Sequence, residues 1–222
     1  MTTETPPRQD WDNFAKLGAQ IAEWGANYHR GLGERPVRAP LEPGAVRARF
    51  PQSPPETGEG LEGILAEIDE KIVPGMTHWQ HPRFFAYFPS NATPPSMLAD
   101  FVTSIFAQQC MLWQTSPAGT EVETLMLDWL RQGLGLPEEF QGVIQDSASS
   151  ATLAAVLTMR ERALDWAGNS AGLSGQPRLR VYASEEVHTS VDRAIWIAGI
   201  GGDNLVRIPT HGPLRAMDPV GR

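Results

Sequence analysis

From residue 141 onward, short apolar runs alternate with segments that repeat apolar side chains at helical spacing, and this alternation constrains the fold more than any other feature. "GVIQ" is the first run, "LRVYAS" the second and "NLVRIPT" the third. Between them lie "SASSATLAAVLTMRERALDWAG", a helix opened by small hydroxyl residues, and a shorter helical pattern over about 188–199. Strands that alternate with helices demand crossover connections, which are right-handed and lay the strands parallel with helices against the sheet. The expectation is an α/β domain. Three strands make a thin sheet, and "MDPVGR" closes the chain without a further helix, so the pattern reads as an α/β domain cut short.

Upstream the chain is helical and irregular by turns. Residues 9–32 place Trp11, Phe14, Leu17, Ile21, Trp24 and Tyr28 on one helical stripe. A segment rich in Pro and Gly follows, "GERPVRAPLEPGAVRARFPQSPPETGEG", which no continuous helix or central strand accommodates. A short helix over roughly 60–72 carries Leu61, Ile64, Leu65, Ile68 and Ile72 and ends at "VPGM". Neither helix has a core of its own, so both are expected to pack on the rest of the chain or on a second subunit. "THWQHPRFFAYFPSNATPPSM" is too irregular for one element, and "PSMLADFVTSIFAQQCMLW" predicts a buried helix. In "TSPAGTEVETLMLDWLRQGLGLP", Ser116 is the expected N-cap, Pro117 the first helical residue, and Gly133 and Gly135 mark the end.

Composition excludes several classes of function. A net charge of −8 argues against nucleic acid, which needs a basic face. The single cysteine, Cys110, rules out an internal disulfide and a cysteine-based zinc site, and its apolar neighbours predict a buried, inert thiol. "MTTETPPRQDW" lacks the charged and apolar regions of a secretory signal, and no uncharged apolar run reaches the roughly 18 residues of a membrane span. A cytoplasmic protein that contacts no membrane is expected.

Several residues could carry chemistry. Ser147, Ala148 and Ser149 stand at a strand-to-helix turn, where free N–H groups and the positive helix end favour an anion, although a serine there can also be a plain cap. His188 occupies the equivalent turn of the next unit, either as a solvent-facing residue at a helix start or as a ring facing a ligand. His78 and His81 lack the spacing of a helical zinc pair and a third ligand nearby, so no metal is expected. Trp79, Phe84, Phe85, Tyr87 and Phe88 read from composition as core, with an apolar pocket wall as the other possibility. Glu121, Glu123 and Asp128 read as first-turn and surface carboxylates. No GxGxxG or P-loop lysine occurs.

Taken together, "ANYHRGL", "EPGAVRARFP", "VPGMTHWQHPRFFAYFPSNATPPSMLAD", "SPAGTEVETLMLDWL", "GVIQDSASSATLAA" and "SEEVHTSVDRA" resemble, in order, the group II pyridoxal-phosphate-dependent decarboxylases, the family of aromatic L-amino acid decarboxylase. The resemblance implies a type I, aspartate aminotransferase-like α/β large domain, present here in its N-terminal portion, and an obligate homodimer. Residues 1–90 would form a helical dimerisation segment with its Pro-rich linker, and 91–222 the first part of the domain that binds pyridoxal 5′-phosphate (PLP).

The resemblance also assigns roles. Ala148 and Ser149, with Ser147 beside them, match the phosphate-binding turn. His188 matches the histidine stacked on the pyridine ring, where relatives that make aldehydes oxidatively carry asparagine. Trp79, Tyr87, Phe88 and Pro89 match the wall around the side chain of an aromatic amino acid, and Ser90 matches a substrate-side Thr/Ser position. The lysine that carries the cofactor has no counterpart: Lys16 and Lys71 are the only lysines, and neither lies in a matching motif. The aspartate opposite the ring nitrogen and the catalytic loop are also missing. The resemblance therefore implies that a further, C-terminal part of the protein completes the decarboxylase. A short relative serving as a dimerisation or regulatory module, and a different enzyme such as a hydrolase on a similar scaffold, are the alternatives.

Overall fold

A computed structural model describes residues 11–54, 56, 63–88 and 92–217. The chain divides into two compact units, Met1–Phe106 and Ala107–Arg222.

In the first unit, α1 (Trp11–Arg30) has Asp12 in its first turn and His29 and Arg30 in its last, each placed to oppose the helix dipole. Its apolar stripe meets α2 (Ile64–Glu67), which continues as a π turn over Ile68–Ile72 and a 3-10 turn over Val73–Gly75. Leu61, expected on this helix, lies outside the described residues. Phe14, Leu17, Ile21, Trp24, Leu65 and Ile68 line an apolar cavity of about 580 Å³. Trp24 Nε1 donates to Asp69 at 3.0 Å, tying the two helices together. Phe101 of α3 (Pro94–Phe106) reaches the same cavity, with its ring 6.0 Å from that of Phe14.

α3 departs from the expected buried helix. It stops at Phe106, where Ala107 turns to a positive φ of 48°, and no α3 residue is buried. Leu98, Phe101, Val102, Ile105 and Phe106 are all exposed. A helix that is apolar around most of its circumference is built for a core, and this unit covers only part of it.

The second unit carries α4 (Pro117–Gly133), capped as expected by Ser116, whose side chain accepts from the Gly119 N–H, with Pro117 as its first residue. Gly135 takes the left-handed conformation just past the end, at φ 66°. After α5 (Ala148–Ala163) and α6 (Ala167–Ala171) come β1 (Val181–Ser184), α7 (Ser190–Ile197) and β2 (Leu205–Ile208). β1 and β2 pair in parallel, Val181 opposite Leu205 through Ser184 opposite Ile208, so β1–α7–β2 is the predicted crossover unit. β3 (Thr210–His211) and β4 (Ala216–Met217) form a small antiparallel hairpin.

The core lies between α5 and α7, where Val156 meets Ala194 and Ala198, flanked by Leu153, Leu157 and Ile200. Ile195 is completely buried, a burial that contributes roughly 1.5–3 kcal/mol.

Two expectations fail in this unit. "GVIQ" forms no strand: Val143 and Ile144 are exposed, and the Ile144 N–H donates to Glu123 Oε1 at 2.8 Å. The carboxylate of α4 thus takes the bond that a neighbouring strand would make. Cys110 is exposed, so the predicted burial of its thiol does not hold. Among the described residues, no helix is long and apolar enough to cross a membrane.

Candidate functional site

The serine turn is built by a reciprocal cap. Ser147 is extended (φ −156°, ψ 161°), and its hydroxyl accepts the Ser150 N–H at 3.3 Å. The Ser150 hydroxyl accepts the Ser147 N–H at 3.2 Å and donates to the Asp146 carboxylate. Two of the turn's backbone donors are thereby satisfied. The N–H groups of Ala148 and Ser149 belong to the first helical turn, which offers no intrahelical acceptor. The exposed Ser149 hydroxyl has no protein partner among the described residues. Capping and unspent donors therefore fall on different residues: Ser147 and Ser150 cap, while Ala148 and Ser149 keep their donors.

His188 shows a similar division. Its Nδ1 accepts the Ser190 N–H at 3.1 Å, and its carbonyl accepts the Val191 N–H at 3.0 Å, so it opens α7. The ring is nevertheless exposed. With Nδ1 used as an acceptor, the neutral ring carries its proton on Nε2, and the backbone bond fixes the imidazole plane.

α5 and α7, which start at these two places, pack against each other. Near the C-terminal end of α5, Arg160 Nη1 donates to the Ala198 carbonyl at the end of α7, at 2.7 Å. Behind this bond lies Glu161, which is only 3% exposed. Its Oε1 accepts from Arg160 Nε at 2.9 Å and Nη2 at 2.7 Å, and its Oε2 accepts the Asn169 N–H at 2.8 Å. One buried carboxylate therefore links α5, α6 and, through Arg160, α7. Nothing in the sequence pattern singles out Glu161, because an Arg–Glu pair inside a helix ordinarily lies on a wet face.

The aromatic residues expected to be core are not buried within the chain. Trp79 is 42%, Tyr87 84% and Phe88 97% exposed. Trp79 stacks on Phe84 (5.0 Å, 28°) and on Tyr87 (5.6 Å, 17°), and Tyr87 holds a left-handed φ of 55°. These rings form a stacked, solvent-facing surface in the first unit, whereas the serine turn and His188 belong to the second. Pro89 and Ser90 lie outside the described residues.

In the same segment, His78 and His81 are each only 3% exposed. His78 Nδ1 is 2.7 Å from the Tyr28 hydroxyl, and the His81 Nδ1 accepts the Arg83 N–H at 2.9 Å. Burial, aided by the Arg35 charge and by His81, pushes the His78 pKa down. Burial pushes the Tyr28 pKa up, against the opposing pull of Arg35. Periodicity puts Tyr28 on the apolar stripe of α1, but its partner lies 50 residues away and no local pattern reveals it.

Known proteins share both sequence and fold with this chain. Aromatic-L-amino-acid decarboxylase of Rattus norvegicus is 39% identical over 215 residues, which cover 91% of this chain and 44% of that protein. The crystal structure of Oryza sativa TDC with PLP and tryptamine superposes with a TM-score of 0.84 at 33% identity, over 93% of this chain and 45% of that one. The crystal structure of Rhodiola rosea 4-hydroxyphenylacetaldehyde synthase gives the same TM-score at 31% identity, over 92% and 44% of the two chains. The chain thus spans less than half the length of these relatives. Its fold is the expected α/β fold of the PLP-dependent enzymes, with the N-terminal helices preceding it. Residues 43–220 match the model of the pyridoxal-dependent decarboxylase conserved domain, and the chain belongs to that family.

Proposed function

We propose that the protein to which this chain belongs decarboxylates an aromatic L-amino acid to its amine and carbon dioxide, as a PLP-dependent cytoplasmic homodimer. In this reading the chain is the N-terminal part. Residues 1–90 serve dimerisation, 91–222 begin the cofactor domain, and the rest of the protein supplies the lysine that anchors PLP. The observation that carries the reading is the α5–α7 pair, whose helices begin at the serine turn and at His188 and share their C-terminal ends through Arg160 and Ala198.

The donor set fits the cofactor. A phosphate monoester needs several donors around its oxygens, and the Ala148 and Ser149 N–H groups with the Ser149 hydroxyl provide them at the positive end of α5. The Ser147–Ser150 cap holds that turn open without using these donors. His188, its plane fixed by Ser190, would face the pyridine ring of the bound cofactor and help orient it. Trp79, Tyr87, Phe88 and Pro89 hold the substrate's aromatic side chain and exclude water from it, and Ser90 stands on the substrate side. When bound, PLP withdraws electrons from the breaking bond as carbon dioxide leaves.

The complete protein, purified and assayed on tyrosine, DOPA, tryptophan, 5-hydroxytryptophan and phenylalanine, tests this. Expected are a visible absorbance band lost on borohydride reduction, release of carbon dioxide, and an amine product from at least one substrate. Absence of both the band and carbon dioxide release overturns the enzyme reading. An aldehyde product in place of the amine overturns the decarboxylase reading alone.

A further inference from the structure

We propose that Tyr28 and His78 are positioning residues for the aromatic wall: the Tyr28 hydroxyl, donating to His78 Nδ1, sets the turn from which Trp79 stacks. The proposal rests on the assignment of Trp79 to the substrate's side chain.

The geometry is a chain of short links. The His78 N–H donates to the Val37 carbonyl at 2.9 Å, and its side chain meets Tyr28 of α1 at 2.7 Å, so backbone and ring are both held. The His78 carbonyl accepts the His81 N–H at 3.0 Å, and the His81 carbonyl accepts the Phe84 N–H at 2.9 Å. His81 Nδ1 fixes the residue two positions on by accepting the Arg83 N–H at 2.9 Å. Trp79 and Phe84, whose rings stack, stand at the two ends of this ladder. Trp79 is 42% exposed and its covered part packs on the rings of Phe84 and Tyr87, so the buried residue before it fixes the backbone from which the indole departs.

The ladder requires a neutral His78. A proton on Nδ1 removes the acceptor for the Tyr28 hydroxyl and places a charge against the groups that face it: Tyr28 from α1, Arg35 from the segment that follows, and His81 from the same turn. Arg35 already lies over the Tyr28 ring, 5.0 Å from its centroid. The wall is therefore ordered at neutral pH and loosened in acid.

Three variants test this in the complete PLP-loaded protein, with hydrogen exchange as a readout independent of turnover. In Tyr28→Phe, KM for the aromatic amino acid rises about threefold or more while kcat changes less than about twofold, as expected when only ground-state positioning is lost. The amides of His81 and Phe84 exchange about fivefold faster or more in the same variant. His78→Asn keeps an acceptor near the Nδ1 position but does not titrate. It retains a near-native KM and loses the rise in KM between pH 7.5 and 5.5, on the order of a few-fold, that the native protein shows. Trp79→Ala separates the two layers of the argument. If it leaves KM unchanged, the substrate-wall assignment fails. If it raises KM while Tyr28→Phe alters neither KM nor amide exchange, the positioning role is overturned and the wall stands.

Discussion

Ser147 and Ser149 are two residues apart and do different work. Ser147 accepts the Ser150 N–H and closes the reciprocal cap, so Ser147→Ala should cost about 1 kcal/mol of stability, read as a lower urea midpoint at unchanged slope. The exposed Ser149 hydroxyl makes no hydrogen bond to protein among the described residues, and Ser149→Ala should leave that midpoint in place while weakening PLP binding in an equilibrium titration. The reverse pattern would move the phosphate contact to Ser147. Under the proposed function, His188 would combine both duties in one ring, with Nδ1 spent on Ser190 and the exposed ring left to face the cofactor. At this scale the sequence was most informative where a cap is a local affair. Ser116, Pro117 and Ser147 need only their own turn to be read, whereas Tyr28 and His78 meet across 50 residues.

Among the elements, α5 joins α6 and α7 of the second unit, and Glu161 fastens its end. Arg160, at 15% side-chain exposure, and Glu161, at 4%, are both largely removed from water. Glu161→Leu strands the guanidinium and frees the Asn169 N–H, and should cost about 3–5 kcal/mol in chemical denaturation. Glu161→Gln keeps most of the shape and some of the bonds and should cost less. Gly168 belongs to the same arrangement, since a Cβ there would lie 2.4 Å from Glu161 Oε1, so a side chain would have to displace the carboxylate. α4, α5 and α7 follow from apolar spacing and end signals, and β1 and β2 from their flanking helices. The expected helix through Gly168, however, stops at Ala163, because Asp165 and Trp166 take positive φ before the separate α6. "GVIQ" was misread because an apolar run shows that a segment prefers extended backbone, not which group accepts its N–H. Here the acceptor is Glu123 on α4. The exposure of α3 was equally hidden, since an apolar pattern marks a surface to be covered and not what covers it.

For the whole molecule, the buried His78 makes stability depend on pH. Its folded pKa lies below the ordinary 6.5, chiefly through burial and then through Arg35 and His81. Above that value the ring is neutral in both states and adds no pH dependence. As the pH falls below 6.5 the unfolded chain takes up the proton first, so stability declines until the folded pKa is reached. Thermal melts between pH 7.5 and 5 should show this decline, and His78→Asn should flatten it. A melting temperature that rises on acidification over this range would contradict the assignment.

The parallel pair β1–β2 carries a consequence beyond its own unit. Among the described residues each strand is bonded along one margin only, leaving the other lined with open amides and carbonyls. Such a margin is a template for any extended backbone that comes alongside. Whether that backbone is a neighbouring segment of the same protein or a stray chain in a concentrated solution decides between an enlarged sheet and an aggregate.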